Sequence, residues 1–415
     1  VTGEQRVDVQ PGGATGVADN DPFEEFNRAM GADGDASPYP DFIAARATSA
    51  VHGSTMDISG GFDAGPEVFT AYSFEAVQTV LGDGETFSSA GYGDVMGVVM
   101  GRSILEMDEP EHRTYRSILQ QAFTRQEMAR WETGLVAPLI NRMIDDFADE
   151  GRADLVRQLL FPFPVAVIAA LLGLPAEDLP AFHRLAVELI GVMVDWDRSV
   201  ASSAQLREYF SGIVADRRIH PADDMISVLA TAEQDGQHLT DEEIYAFLRL
   251  LLPAGAETTY RSSSNLLFGL LTHREQLGAL HADRSLMGQA IEEGIRWEPP
   301  LLIIARGATR DTEVCGTRIP EGSTIIVSLG SANHDESRWT DPERFDIFRE
   351  RRPHIGFAHG PHMCLGMHLA RMETQVVINT LLDRLPGLRL DPAAGDQYIS
   401  GSLFRAPPRL DVVWD

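Results

Sequence analysis

Phe357-Ala358-His359-Gly360-Pro361-His362-Met363-Cys364-Leu365-Gly366 is the stretch from which the rest of the chain is read. It holds one of only two cysteines, with Gly360 and Gly366 close on either side. Residues without a Cβ let the backbone approach something large and flat. After Gly366 the apolar pattern turns helical through Met367, Leu369, Ala370, Met372, Val376, Val377 and Leu381, so Cys364 stands just before a helix N-terminus. The partial positive charge and free N–H groups there favour a thiolate, which is a metal ligand and an electron donor. Two plainer readings compete. A lone cysteine is most often a small buried hydrophobe, but that leaves the glycines unexplained. His359, His362, Cys364 and His368 also form a His-x2-His-x-Cys-x3-His set of possible zinc ligands. Zinc sites usually pair ligands from two separated knuckles, and no Cys-x-x-Cys occurs.

Composition narrows the class. The 415 residues are 44% hydrophobic and 23% charged, enough for a globular protein with a large core. The net charge is −28, and all 34 basic residues are arginine. Nucleic-acid phosphates would repel such a chain, so no nucleic-acid partner is expected. Two cysteines do not make a disulfide framework, as befits a reducing compartment. No run of about 18 apolar residues and no signal peptide is seen, so a cytoplasmic protein without a membrane partner is expected.

Residues 1–20 read as a mobile polar tail, and 21–415 as one domain. Extended segments are expected near Ser54–Ile58 and Val68–Ser73, and a helix at Phe74–Leu81. Phe87–Met100 reads as a long loop whose apolar Met96, Val98, Val99 and Met100 suit a lid. Helical patterns then cover 111–122, 125–150, a segment from Pro162 to Leu172, 181–194, 202–219 and 224–232. The β-rich parts fall at about 40–75, 301–330 and 390–415. The fold class is mainly α with a small β lobe.

Thr240 and Glu243 form a capping box that opens a helix running to about Leu271, apolar on all faces and therefore in the core. In its middle lies Ala254-Gly255-Ala256-Glu257-Thr258-Thr259, just after Pro253, which should kink the helix. Gly255 is read as open space on one face. A carboxylate and two hydroxyls are expensive to bury unless paired or hydrated. Elsewhere, Glu293 and Arg296 pair at i and i+3 ahead of Pro299-Pro300, and His112 and Arg116 share a helix face at i and i+4. Taken singly, each such pair is an ordinary solvated one.

Together these motifs resemble the cytochrome P450 family. Phe357, Gly360, His362, Cys364 and Gly366 match its Phe-x-x-Gly-x-(His/Arg)-x-Cys-x-Gly loop, and residues 254–259 match its (Ala/Gly)-Gly-x-(Asp/Glu)-Thr-(Thr/Ser) segment. Glu293 and Arg296 match Glu-x-x-Arg, and Pro342-Glu343-Arg344-Phe345 supplies a Pro-x-Arg-Phe. The likeness runs over about 21–415. It implies the family's triangular prism of helices around a buried haem b, with Cys364 as the iron's axial ligand. It implies that His112, Arg116, Arg306 and His362 clamp the propionates, and that Glu293, Arg296 and Arg344 buttress the loop. Thr258 would orient dioxygen and Glu257 would pass protons. The pocket would draw on Met96, Val98, Leu251, Ala254, Gly255, Leu301, Leu302, Ile303 and Leu403, and would take a hydrophobic small molecule such as a terpenoid, fatty acid or steroid-like compound. The implied activity is monooxygenation with electrons from NAD(P)H through a separate reductase and ferredoxin or flavodoxin, by a monomer. Docking would use Arg113, Arg349, Arg351 and Arg352. A peroxide-driven peroxygenase and a non-catalytic haem sensor are the alternatives. Ala358, where many members carry glycine, departs from the pattern.

Overall fold

The structure, a computed structural model, describes Asn27 and residues 37–53, 67–193 and 195–415. The expected tail and the extended segment near 54–58 lie outside these residues. Sixteen α-helices are described. They are α1 Tyr39–Thr48, α2 Phe74–Gly82, α3 Met96–Met100, α4 Glu111–Leu119, α5 Arg125–Trp131, α6 Ala137–Asp145, α7 Pro162–Leu171 and α8 Leu179–Ile190. There follow α9 Trp196–Ile219, α10 Met225–Thr231, α11 Asp241–Leu252, α12 Thr258–Thr272, α13 Arg274–Ala282, α14 Met287–Trp297, α15 Leu329–Asn333 and α16 Met367–Arg384. Among the described residues no helix is long and apolar enough to cross a membrane.

The helix starts are set locally. Ser73 caps α2 by accepting from Ala76 N at 3.1 Å, and α7 begins with Pro162 at a position where no N–H is needed. Thr240 and Glu243 form the reciprocal capping box of α11. The expected long helix is α11 and α12 joined by one π turn, Pro253–Glu257. Pro253 has no N–H to continue the α pattern, and the chain widens instead of breaking. Leu266, Leu267, Leu270 and Leu271 of α12 are buried in the main core. α14 comes close on one side, where a Cβ on Gly294 would sit 3.1 Å from Leu266 Cβ. On α16, which packs on α12, the Thr374 hydroxyl shares a 3.1 Å bond with that of Ser263. Beside it Glu373 is buried with no partner for Oε2, and burial alone pushes its carboxyl well up.

A five-stranded sheet, in the order β1-β2-β10-β7-β3, flanks the helices. Its strands are β1 Val51–Gly53, β2 Val68–Ala71, β3 Phe87–Ser88, β7 Ile303–Ala308 and β10 Thr324–Ser328. Strand β10 runs parallel to β2 and antiparallel to β7, with Ile325 opposite Arg306. A separate three-stranded sheet joins β4 Arg152–Asp154 to β11 Arg389–Leu390 and β12 Asp411–Val413. Two hairpins, β5 Glu233–Gln234 with β6 Gln237–His238 and β8 Thr312–Val314 with β9 Thr317–Ile319, complete the strands. The β content is thus divided between two main sheets, and α1 takes up 40–48 of the 40–75 segment read as β-rich, with β1 and β2 after it. The segment 87–100 is not a loop either. It holds β3, a 3-10 turn at Ala90–Asp94 and α3, because Val95, Val99 and Met100 bury their side chains and draw the backbone into helical turns.

Candidate functional site

The cysteine loop is a tight turn wedged between α2 and α14. Cys364 N donates to Phe357 O at 2.9 Å and Met363 N to Gly360 O at 3.0 Å. Gly360 has φ +73°, and a Cβ there would lie 2.1 Å from Leu81 O, so only glycine fits. Ala358 is also left-handed, at φ +60°. Gly356 packs on α14, where a Cβ would meet Ile295 Cγ2 at 2.4 Å. Gly366 differs: a Cβ there would meet nothing within 4 Å, so its face is open. Burial pushes the Cys364 thiol up, while the Gly366 N–H, Arg116 and Arg371 pull it the other way. A nearby cation, such as a bound metal, would tip that balance to the thiolate. Among the described residues no three His, Cys, Asp or Glu side chains are placed to share a metal ion, so the zinc set is not assembled. The other cysteine, Cys315, is exposed in the β8–β9 turn.

Four predicted residues converge beside this loop. The rings of His112, on α4, and His362 lie 4.1 Å apart. Arg116, one turn after His112, donates to Met363 O at 2.6 Å. Arg306, on β7, donates to Ala305 O at 2.7 Å. Burial pulls the His362 imidazole down to about 3, with His112, Arg306 and Arg116 adding to the effect. His112 Nδ1 faces Glu109 at 3.4 Å, but its Nε2 is buried without a partner. Among the described residues neither Arg116 nor Arg306 has a carboxylate within salt-bridge distance. A donor set half or more buried with this excess of positive charge is complementary to an anionic group, and the propionates of a haem fit it. Tyr92 belongs here too. Its hydroxyl accepts from Ala305 N at 3.1 Å and holds Arg306 higher than burial alone would leave it. Nothing in the sequence pointed from Tyr92 across to β7.

Above the loop, the π turn sets the second group. The Thr258 hydroxyl donates to Ala254 O at 2.8 Å. Ala254 is exposed and Thr258 partly so, although the helices around them are core. An accessible alanine in the middle of a core helix leaves that face open, with room for a bound group. Glu257 is fully buried and is not a free carboxyl: its Oε1 accepts from the Arg261 guanidinium at 2.5 Å, and Oε2 has no hydrogen bond. Burial pushes Glu257 up, against the pull of Arg261. Arg261, itself held by Asn27 Oδ1 at 3.0 Å, was legible as an i, i+4 partner but was not singled out. Gly255 opens no space. A Cβ there would meet Ile168 Cδ1 at 3.3 Å, so this glycine lets α7 approach.

The buttress needs one correction. Glu293 pairs with Arg296 through two bonds of 2.8 Å, and Arg296 also holds Asn333 O and Pro342 O at 3.1 and 2.7 Å. The third member is Arg349, whose Nε lies 3.3 Å from Glu293 Oε1 and whose Nη2 donates to Asp341 O and Arg344 O. Arg344 offers only its backbone, because its side chain is 64% exposed and pairs with Asp346. The turn at 340–346 directs it outward. The Phe-Asp-x-x-Arg that ends in Arg349 carried the signal. Arg349 is accordingly removed from the proposed docking patch. Arg113, Arg351 and Arg352 remain on the surface.

Of the expected pocket residues, Leu301, Ile303 and Leu403 are half-buried, Met96 is half-buried, Val98 is exposed and Leu251 is buried. Leu302 is excluded: it is buried in a separate cluster with Tyr39, Phe42 and Tyr72, against which Ile303 also packs in part.

A family model described as Cytochrome P450 matches residues 204–386. The chain is 32% identical over 400 residues to the cytochrome P450 monooxygenase PikC of Streptomyces venezuelae, covering 93% of each chain. It is 35% identical over 328 residues to a steroid C26-monooxygenase of Mycobacterium tuberculosis, covering 77% of this chain and 87% of that one. The crystal structure of CYP109E1 from Bacillus megaterium in complex with testosterone matches with a TM-score of 0.82 at 29% identity, covering 92% of this chain and all of that one.

Proposed function

The chain belongs to the cytochrome P450 family and is an oxygen-incorporating monooxygenase, and on that premise we propose that it inserts one atom of dioxygen into a C–H bond of an apolar small molecule. The observation that carries the site assignment is the convergence of His112, Arg116, Arg306 and His362 beside Cys364, with His112 Nε2 buried and unpartnered. Cys364 would ligate the haem iron, and the four side chains would hold the propionates by charge-assisted bonds. When bound, the haem supplies the oxidising chemistry, and the protein supplies orientation and electrostatics.

The chain's own contribution is then specific. Gly366 leaves room for the flat group, while Gly360 holds the loop against α2. The Gly366 N–H and Arg116 favour negative charge on the sulfur. The Glu293–Arg296–Arg349 network fixes the segment that leads into the loop. Thr258 holds a proton at the edge of the cavity, and Glu257 stores one behind it under the control of Arg261. Ala254, Leu301, Ile303 and Leu403 give the cavity apolar walls, which favour a terpenoid, fatty-acid or steroid-like substrate. Electrons would come from NAD(P)H through a reductase and a ferredoxin or flavodoxin docking near Arg351 and Arg352. The described residues from 37 onward would act as one haem domain.

The test is the carbon monoxide difference spectrum of the reduced, haem-loaded protein. Cys364→Ser should abolish the thiolate-type band and Cys315→Ser should leave it intact. The reverse outcome would move the ligand to the β8–β9 turn and end the assignment.

A further inference from the structure

The Glu257–Arg261 pair is buried on both sides, with side-chain exposures of 2% and 3%, and it does not stand alone. Arg261 Nε donates to Glu257 Oε1 at 2.5 Å, and Nη2 lies equally close to the same oxygen. That Nη2 also donates at 3.0 Å to Oδ1 of Asn27, a buried residue 234 positions earlier in the chain. The Tyr260 hydroxyl donates to Asn27 Oδ1 as well, at 3.4 Å. Two donors converge on this amide, so it presents its oxygen; its NH2 would face them as a third donor.

The guanidinium is also held from its faces. Its carbon lies 4.9 Å from the centre of the Tyr260 ring and 5.6 Å from that of Phe404. Phe161 meets the Tyr260 ring edge-on at 5.4 Å, and His183 of α8 meets Phe161 at 6.2 Å. Arg157, from the π turn Val156–Leu160, acts on Tyr260. Ile168 of α7 closes the side of Gly255. Among the described residues, a carboxylate and a neutral amide thus share one guanidinium in a place shut off from solvent. Glu257 Oε2 is the oxygen left over, buried and without a hydrogen bond. Burial works against charge on Glu257, while Arg261 and the Tyr260 hydroxyl work for it. What Asn27 takes from Arg261 is withheld from Glu257.

We propose that Asn27 is a positioning residue for Glu257: by holding Arg261 Nη2 and the Tyr260 hydroxyl it limits how firmly the carboxylate is clamped at Oε1, and so lets Oε2 take up and release a proton. This deepens the monooxygenase reading and rests on it. Asn27 takes no part in the chemistry and acts through Arg261.

The experiment is infrared difference spectroscopy of the haem-loaded protein as a function of pH. The carboxylic C=O band that disappears in Glu257→Gln belongs to Glu257, and its titration gives a midpoint. Asn27→Asp keeps the shape and the acceptor but sets a second negative charge on the same guanidinium, so the midpoint should rise by about one pH unit or more. Asn27→Ala removes the acceptor and leaves Nη2 to Glu257, so the midpoint should fall. Arg261→Gln should raise it, and adding Asn27→Ala to Arg261→Gln should then change nothing further. An Asn27→Ala midpoint equal to or above the parent's would overturn the proposal, and so would an Asn27→Ala shift that persists once Arg261 is glutamine. If no band between about pH 4 and about pH 9 depends on Glu257, the carboxyl exchanges no proton and the proposal falls. Asn27→Ala introduces no charge, so an Asn27→Asp protein that failed to fold would not spare the idea. Turnover of Glu257→Gln reads the part Glu257 plays in oxygen chemistry, and the carbon monoxide band reads the thiolate. Failure of Asn27 and failure of the monooxygenase reading are therefore told apart.

Discussion

Replacing Gly360 by alanine tests the packing of the cysteine loop at its tightest point. The added Cβ would lie 2.1 Å from Leu81 O and 2.9 Å from Leu81 C. Both are backbone atoms, so no side chain can rotate away. The residue also has φ +73°, where an L-residue is about 1–2 kcal/mol worse than glycine. Forcing one extra carbon into a closed wall adds about 1–3 kcal/mol. The stiffer unfolded chain returns about 0.4–1 kcal/mol. The expected net loss is about 1–4.5 kcal/mol, read by urea denaturation of the haem-loaded protein and accompanied by faster haem release. Ala358→Gly supplies the control. At φ +60° it relieves the same backbone strain with no wall to meet, while losing a partly buried methyl and gaining unfolded-state freedom. That variant should stay within about 0.5–1 kcal/mol of the parent. A Gly360→Ala protein as stable and as haem-retentive as the parent would refute the contact with Leu81 and the loop placement with it.

Arg349→Ala should cost about 3 kcal/mol, because it leaves Glu293 short of one buried cation and the Thr340 and Asp341 carbonyls without their donor, whereas Arg344→Ala should change denaturation by less than about 1 kcal/mol; equal losses would restore Arg344 to the network. Thr258→Ala should keep NAD(P)H consumption but divert it to free hydrogen peroxide, and Glu257→Gln should instead slow overall turnover; a Thr258→Ala enzyme with an unchanged ratio of product to NAD(P)H would remove the hydroxyl from oxygen handling. Glu373 keeps its proton in the folded state at pH values where the unfolded chain has released it. Stability should therefore fall as pH rises from the ordinary carboxyl range through the raised folded value. Glu373→Gln should be the more stable protein at about pH 8 and should lose that advantage near about pH 4; parallel pH–stability curves would show that Glu373 finds a partner.

The parts of this site that could be read in advance were those fixed by local chemistry. Cys364 with its glycines, the Thr240–Glu243 cap, and the pairs Glu293–Arg296 and His112–Arg116 are short-range patterns whose spacing carries their geometry. The errors arose where a residue's direction depends on the fold. Arg344 and Arg349 are both arginines near Phe345, and only the turn at 340–346 decides which one faces Glu293. Leu302 is drawn into a cluster with Tyr39, Phe42 and Tyr72, which lie more than 200 residues earlier in the chain. Gly255 looked like vacant space because Ile168 comes from a helix nearly ninety residues earlier in the chain. Tyr92 was missed for the same reason, since its partner on β7 is distant in sequence. Arg261 is the exception, for its i, i+4 spacing from Glu257 was open to view.

The π turn at 253–257 has a consequence for descent and for engineering. A π turn carries one residue more than an α-helical turn over the same path. Removing a single residue from it would let α11 and α12 run on as one regular helix. Because the widened turn absorbs its extra residue locally, α11 and α12 would keep the faces they now present to the core. Only the turn itself would change: the Thr258 hydroxyl, which now bonds Ala254 O, would meet a different carbonyl, and the exposed face around Ala254 would close up. A one-codon deletion there therefore separates what the turn contributes from what the packing of the helix contributes.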